Sequence, residues 1–504
     1  MPDRPSAATT EDGPENPPTA AGPPRAAAPP APPEPGRPGR ARRAALRPLV
    51  LRLHFYAGVL VAPFLLVAAA TGLLYAASFQ AEKIIYDHEL SVPVGERELP
   101  VSQQIDAART AHPEGTVSAV RPSPEAGATT RVLLSGVKGV DPDHTLAVFV
   151  DPYTGKVRGA LEQYGSSGAL PLRTWIDELH RDLHLGQTGR LYSEFAASWL
   201  WVITGGGLVL WLARRRAKRR LRAIALPDRT ATGRRRTMSF HGAVGVWAAV
   251  GLFFLSATGL TWSTYAGASI EDLRTALRQT TPSVSAALDG AERAGGEHSG
   301  HGAMPGMGMD GSQGGAEDPS SARDVGIDAV LKAARAEGLG NPVEIVPPAD
   351  AKTAYVVQQI QRSWPEKQDS VAIDPATGEV TDVVRFADYP LLAKLSRWGI
   401  DAHTGSLFGL VNQIALAALA LALIFLILWG YRMWWQRGSA SAFGRPVPRG
   451  GWQQVPPYVL VPLAAAVAVL GYFVPLLGLP LAAFWALDVV LGEIAYRRGL
   501  RTYR

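Results

Sequence analysis

The chain contains no cysteine among its 504 residues. No disulfide can therefore stabilise any part of it, and zinc–thiolate and iron–sulfur sites are excluded because both need thiolate ligands. Two nucleotide-binding signatures are also missing: there is no P-loop, and no G-x-G-x-x-G motif follows a predicted strand. The sequence also lacks a nucleophile elbow and a zinc-protease motif, which argues against a hydrolase.

Charged residues make up only 19% of the chain, and long apolar runs separate them. A span of about 30 Å of hydrocarbon needs roughly 20 apolar residues in a helix. Four predicted spans meet this requirement, and two shorter runs, 456–474 and 478–496, form a predicted hairpin at 456–496 around a turn at 475–480. The four longer spans cover residues 46–78, 193–213, 240–265 and 406–435. The predicted fold is a membrane-embedded α-helical bundle of six spans, built from two duplicated helix pairs and the C-terminal hairpin.

Basic residues are concentrated in the predicted connections on one side of the membrane. The loop 214–239 contains 11 Lys or Arg and one acid, Asp228, and further basic clusters lie in residues 37–52, in the loop 436–455 and in the tail 497–504. The positive-inside rule then predicts a cell-membrane protein with both termini in the cytoplasm. The net charge of +6 largely reflects this bias, so it does not indicate nucleic-acid binding. The Pro- and Ala-rich residues 1–45 are predicted to be a disordered tail.

Two long stretches, 79–192 and 266–405, are predicted to lie outside the membrane. Each contains Asp-Pro-x-Thr-Gly between Val-rich runs, which is typical of a hairpin because Pro fixes one turn residue and Gly supplies the left-handed one. A helical stretch precedes each hairpin, at Val101–Ala111 and Ile327–Ala336. The sequence thus predicts two small external α+β domains. Both halves enter the membrane in the same direction, which makes them parallel repeats related by a pseudo-twofold axis.

Four histidines occupy matched positions in these halves. His54 and His241 open the first and third spans in the shared pattern H-x-x-x-G-V, followed by A-T-G-L. His184 and His403 precede the second and fourth spans. Ionisable groups at membrane depth are costly and usually functional, and imidazole is a standard axial ligand of haem. The pattern predicts two haem sites, His54 with His241 and His184 with His403. Because there is no C-x-x-C-H sequence, these would be b-type haems.

Other readings of these histidines remain open at this stage. A histidine at a membrane boundary is often only an interfacial polar residue, and a repeat can preserve one that merely caps a helix. His180 stands one helical turn before His184, so both can share a face. His180 is therefore an alternative ligand, or a neighbour of the ligand.

A Gly-rich insertion at 283–322 interrupts the second external region. It contains thioethers and imidazoles, a combination that suits copper. These residues are His298, His301, Met304, Met307 and Met309. The alternative is a variable linker in which these residues are incidental.

The sequence resembles the PepSY-associated transmembrane family, also called iron-regulated or iron-uptake membrane proteins. The matching elements are R-L-H-x-x-x-G at 52–58, A-T-G-L at 70–73 and 257–260, D-P-x-T-G at 151–155 and 374–378, L-H-x-G at 183–186 and A-H-T-G at 402–405. The resemblance covers about residues 47–437 and implies a haem-carrying inner-membrane protein. Some relatives of this di-haem type reduce ferric siderophores at the periplasmic face, and the PepSY domains are thought to be binding or inhibitory modules.

The main functional hypothesis is therefore transmembrane electron transfer, with a b-type haem ferric-chelate reductase as the enzyme. A cytoplasmic reductase or a membrane quinol would supply electrons, because no nicotinamide-binding motif is present. A ferric siderophore or another metal chelate would accept them outside. Two alternatives are a membrane-anchored module that binds or inhibits an envelope protein, and copper handling through the His/Met-rich insertion.

Overall fold

A computed structural model describes residues 38–215, 224–288, 324–436 and 457–502 of the chain. Helices alternate with two groups of four strands along it. The helices are α1 (Pro38–Leu60), α2 (Ala62–Ile85), α3 (Asp87–Leu90), α4 (Val101–Ala111), α5 (Pro171–Asp182), α6 (Gly186–Arg215), α7 (Gly233–Leu260), α8 (Tyr265–Ala276), α9 (Ile327–Ala336), α10 (Leu391–Thr404), α11 (Gly409–Trp435), α12 (Pro457–Phe473) and α13 (Pro475–Thr502). The strands are β1 (Thr116–Arg121), β2 (Thr130–Ser135), β3 (His144–Val150), β4 (Val157–Tyr164), β5 (Val343–Val346), β6 (Tyr355–Gln359), β7 (Ser370–Ile373) and β8 (Val380–Val384).

Five of the described helices are long and apolar enough to cross a membrane. These segments are Ala62–Ile85, Gly186–Arg214, Gly233–Leu260, Gly409–Trp435 and Pro475–Ile494. The predicted run 456–474 corresponds to α12, whose apolar part, Leu460–Phe473, is shorter than the other five. The predicted turn at 475–480 is wrong, because Pro475 begins α13. A proline is tolerated at the start of a helix, since the first N–H groups have no partner within the helix. Similarly, α1 begins at Pro38, inside the segment predicted to be disordered.

Four of the spans form a closed bundle in which α2 packs against α6 and α11, and α7 packs against the same two helices. Small and apolar side chains fill its interior, among them Ala57, Leu65, Ala196 and Leu252. The C-terminal helix α13 lies against α6, where the indole N–H of Trp199 donates to the carbonyl oxygen of Leu476 at 3.2 Å. A buried ion pair between Arg52 and Asp488 also joins α1 to α13.

The two predicted external domains are one continuous structure. All eight strands form a single antiparallel sheet in the order β4-β3-β2-β1-β5-β6-β7-β8, and the halves meet where Val120 of β1 pairs with Ile345 of β5. One hydrophobic core, covered by α4 and α9, serves both halves. The prediction of two separate domains therefore needs correction. Each four-stranded half would leave the polar groups of β1 or β5 unpaired at an edge, and joining the edges satisfies them.

The Asp-Pro-x-Thr-Gly hairpins have the geometry that the sequence predicts. Gly155 and Gly378 have φ angles of +71° and +76°, in the left-handed region that favours glycine. The carboxylate of Asp151 accepts hydrogen bonds from the backbone N–H of Tyr153 at 2.9 Å and from the hydroxyl of Thr154 at 2.7 Å. The helices α4 and α9 coincide with the predicted helical stretches. The local motifs thus fix both halves of the sheet.

Candidate histidine sites

The rings of His54 and His241 face each other within the helix bundle, on the side away from the sheet. Their centroids are 6.4 Å apart and their planes are inclined by 77°. A metal–nitrogen bond of about 2 Å places an imidazole centre about 3 Å from the metal, so two rings on opposite sides of one ion have centres about 6 Å apart. The spacing of this sheet-distal pair therefore suits two ligands of a single iron.

The hydrogen bonds of this pair also determine which nitrogen is available. His54 Nδ1 donates to the carbonyl oxygen of Ile203 at 2.9 Å, and His241 Nδ1 donates to that of Leu426 at 3.0 Å. A carbonyl oxygen can only accept, so the proton of each neutral ring is on Nδ1 and the lone pair is on Nε2. This is the arrangement that orients a histidine ligand for a metal.

A second pair lies near the sheet and consists of His180 on α5 and His403 on α10. His180 Nδ1 is 2.9 Å from the hydroxyl of Thr71, and His403 Nδ1 is 2.6 Å from the hydroxyl of Thr258. Both threonines belong to the repeated A-T-G-L motif. The same motif therefore contacts one histidine in each half of the chain.

The threonine hydroxyls also have backbone partners within their own helices. Thr71 donates to the carbonyl oxygen of Val67 at 2.9 Å, and Thr258 donates to that of Phe254 at 2.7 Å. A hydroxyl has one proton, so with that proton on the backbone carbonyl each oxygen accepts from the imidazole Nδ1–H. In this arrangement the lone pair of each ring is on Nε2, as in the sheet-distal pair.

Burial keeps the sheet-proximal imidazoles neutral. Desolvation lowers the pKa of His180, and it lowers that of His403 to about 3, with a further contribution from the charge of nearby His180. At neutral pH His180 and His403 are therefore uncharged, which is the form that binds metal.

One glycine in each pair leaves room beside a histidine ring. A Cβ at Gly72 would lie 3.2 Å from His180 Cε1, and a Cβ at Gly207 would lie 2.9 Å from His54 Cε1.

His184 does not join this pair. It follows the end of α5 with a φ angle of +55°, is partly exposed, and lies with its Nδ1 3.1 Å from a carboxylate oxygen of Glu178 and its ring 5.1 Å from that of Trp175. Of the two histidines weighed from the sequence, it is thus His180 that faces α2. The copper candidates His298, His301, Met304, Met307 and Met309 lie outside the described residues.

Sequence reasoning missed the part played by the A-T-G-L threonines. The signal is present, because Thr71 follows His54 by the same number of residues as Thr258 follows His241. A hydroxyl repeated at one position within two apolar runs indicates a specific partner, since polar groups in a bilayer must be satisfied. In the described ranges, no group of three or more His, Asp or Glu side chains could hold a bare ion.

Comparison with known proteins gives one family. Residues 51–437 match the PepSY-associated TM region. This stretch includes both histidine pairs, the whole sheet and the four helices of the bundle. None of the curated proteins searched gives a significant match.

Proposed function

Since the chain belongs to the PepSY-associated transmembrane family, we propose that it holds two b-type haems and transfers electrons across the membrane to an external ferric chelate. His54 and His241 would hold one haem, and His180 and His403 would hold the other. The observation that carries this proposal is the matched chemistry of the two pairs. In all four rings Nδ1 has a hydrogen-bond partner, which is a backbone carbonyl in the sheet-distal pair and a threonine hydroxyl in the sheet-proximal pair, and the sheet-distal ring centroids are 6.4 Å apart.

When bound, each haem would supply a one-electron iron couple. The chain's own residues orient the ligands. The carbonyl oxygens of Ile203 and Leu426 fix the sheet-distal rings, and the hydroxyls of Thr71 and Thr258 fix the sheet-proximal rings. Partners of this kind also raise the basicity of the ligating nitrogen, which favours the oxidised metal.

Helix geometry supports transfer from one side of the membrane to the other. His54 and Thr71 stand at opposite ends of the nearly continuous α1 and α2, about 25 Å apart at 1.5 Å per residue. His241 and Thr258 are separated by the same stretch of α7. A hydrocarbon core of about 30 Å therefore has one imidazole pair near each boundary. The donor would be a cytoplasmic reductase or a quinol, and the acceptor a ferric siderophore or a similar chelate.

Transfer across the bilayer is tested in proteoliposomes with a ferric chelate outside and a reductant trapped inside, with ferrous iron detected by a coloured chelator. We expect wild-type protein to produce ferrous iron and the His54→Ala/His403→Ala double variant to match empty vesicles. Equal rates for the two proteins, in vesicles of equal protein content, would rule out haem-mediated transfer. If the protein reduced a soluble dye but no ferric chelate, transmembrane electron transfer would be supported, but a ferric chelate would be excluded as the acceptor.

Removal of a threonine hydroxyl tests the orientation of the ligands. In Thr71→Val the shape of the side chain is kept, but His180 Nδ1–H loses its acceptor. Loss of such a partner typically reduces metal affinity by about 10- to 100-fold. We expect a matching increase in haem loss to apomyoglobin, confined to one of the two haems. Thr110→Val is the control, because Thr110 is exposed and bonds only within α4. Equal haem retention in the two variants would contradict the assigned part of Thr71.

A further inference from the structure

Four arginine side chains from four separate elements converge on the loop that joins β4 to α5. Arg121 donates to the carbonyl oxygen of Ser166 at 3.4 Å, and Arg362 donates to its hydroxyl at 2.6 Å. Arg131 and Arg173 both donate to the carbonyl oxygen of Gly168, at 3.3 and 3.1 Å. Arg121, Arg131, Arg173 and Arg362 are called the arginine cluster below.

The arginine cluster is connected to the sheet-proximal histidines through the elements that carry them. Arg173 lies on α5 two turns before His180, so the two side chains share a face of the helix. Arg173 also interacts electrostatically with the hydroxyl of Tyr75, one turn after Thr71 on α2. Arg362 bonds at 2.9 Å to Asp401, on the same turn of α10 as His403. The cluster therefore lies between the histidine pair and the sheet.

Three members of the cluster have a carboxylate partner. Arg121 pairs with Glu344 at 2.6 Å, and Arg173 pairs with Glu82 at 2.7 Å. The partner of Arg362 is Asp401. These pairs neutralise three of the four positive charges.

Arg131 differs from the other three members. It bonds to the side-chain oxygen of Gln163 at 3.2 Å and to the carbonyl oxygen of Gly168, and it lies over the ring of Phe149 at 5.3 Å. Among the residues that the structure describes, no carboxylate lies within ion-pair distance of it. Burial lowers the pKa of Arg131, the charges of Arg121 and Arg173 lower it further, and the charge of Glu82 offsets only part of this. An anion bound here would compensate this excess positive charge.

We propose that the arginine cluster, with Arg131 as its main cation, binds the propionate carboxylates of the haem held by His180 and His403. This inference rests on the proposed function. Haem carries two carboxylates that are costly to bury in hydrocarbon, so they require the polar boundary of the bundle. The guanidinium group suits them because its planar fork binds a carboxylate with two parallel hydrogen bonds. A carboxylate of an external ferric chelate has the same chemistry, and the test distinguishes the two sources.

The test uses Arg131→Gln in the full-length protein, which removes the cation without leaving a buried carboxylate unpaired. Arg131→Lys retains the charge but loses the fork. Arg158→Gln is the matched control, because Arg158 lies on β4 of the same sheet and its half-buried side chain bonds to His88, outside the cluster. Each protein is reconstituted with haem and, separately, with haem dimethyl ester, whose propionates cannot ionise. Haem loss to apomyoglobin and the two midpoint potentials are then measured.

With haem, Arg131→Gln is expected to lose one of the two haems about tenfold faster than wild type, in line with one charge-assisted hydrogen bond. The midpoint potential of that haem falls, because a nearby cation favours the reduced iron. Arg131→Lys is expected to have a haem-loss rate and a midpoint potential between those of Arg131→Gln and wild type. Arg158→Gln is expected to match wild type in both. With the dimethyl ester, the difference in haem loss between Arg131→Gln and wild type disappears.

Two results would overturn the proposal. The first is an equal effect of Arg131→Gln on haem loss with haem and with its ester, which would mean that no propionate contact is involved. The second is unchanged haem loss and potential in Arg131→Gln together with weaker reduction of an anionic ferric chelate, which would assign the cluster to the chelate. A wild-type protein that binds no haem would instead contradict the proposed function itself.

Discussion

Purified His54→Ala and His241→Ala are each expected to contain about one haem per chain, where the wild type contains about two. These two imidazoles are 6.4 Å apart at their centroids, and the Nδ1 of each is bonded to a backbone carbonyl oxygen, which leaves Nε2 for a metal. Loss of either ring leaves the iron with one protein ligand in an apolar bundle. The pyridine haemochrome assay, with protein quantified by amino-acid analysis, measures the ratio.

His88→Ala is the control for these variants, because His88 is exposed and lies outside both pairs. It should retain both haems. The account would be wrong if His54→Ala kept the full haem content, or if it lost both haems while His88→Ala was folded and intact. The His54→Ala/His241→Ala double variant should match the single variants, because the two residues serve one site.

The second large effect concerns the sheet-proximal site. His180→Ala is expected to lose one haem, and His184→Ala is expected to keep both. His180 is half-buried with its Nδ1 against the hydroxyl of Thr71, whereas His184 is exposed beside Glu178. The two variants are therefore matched, because each removes one imidazole and the two positions are only four residues apart. Haem content and the low-spin signals in electron paramagnetic resonance measure the outcome.

The opposite pattern would reject His180 as the ligand: full haem content in His180→Ala with loss in His184→Ala. Such a result would require the end of α5 to rearrange when haem binds, because Leu183 and His184 both have left-handed backbone conformations there. The variant of the partner residue, His403→Ala, should lose the same haem as His180→Ala. Loss of a different haem would mean that His180 and His403 do not bind the same haem.

Five of the six predicted spans, the two Asp-Pro-x-Thr-Gly hairpins and the proximity of His54 to His241 could be predicted from the sequence. An apolar run sets the length of a helix, and Asp-Pro-x-Thr-Gly specifies a turn at Gly155 and Gly378 by its own chemistry. His54 and His241 are equivalent residues of a repeat, and a twofold axis brings equivalent residues together. These features need little knowledge of distant contacts.

The sheet and the choice between His180 and His184 could not be predicted in this way. Pairing of β1 with β5 joins strands more than two hundred residues apart, and no local pattern encodes it. The H-x-G match aligned His184 with His403, but α5 ends at Asp182 whereas α10 continues to Thr404. The sequence has no glycine directly after Asp182 to indicate the end of α5, because the next glycine is Gly186. The helix end, and with it the ligand, depends on tertiary packing.

The central claim is that this chain holds two haems between pairs of histidines. The most direct test is a reduced-minus-oxidised absorption spectrum of the full-length protein, purified from haem-replete cells, with haem quantified per chain. The account predicts the spectrum of low-spin b-type haem and about two haems per chain. A protein without a Soret band would contradict it, and the four imidazoles would then be helix-packing residues of a membrane-anchored sheet.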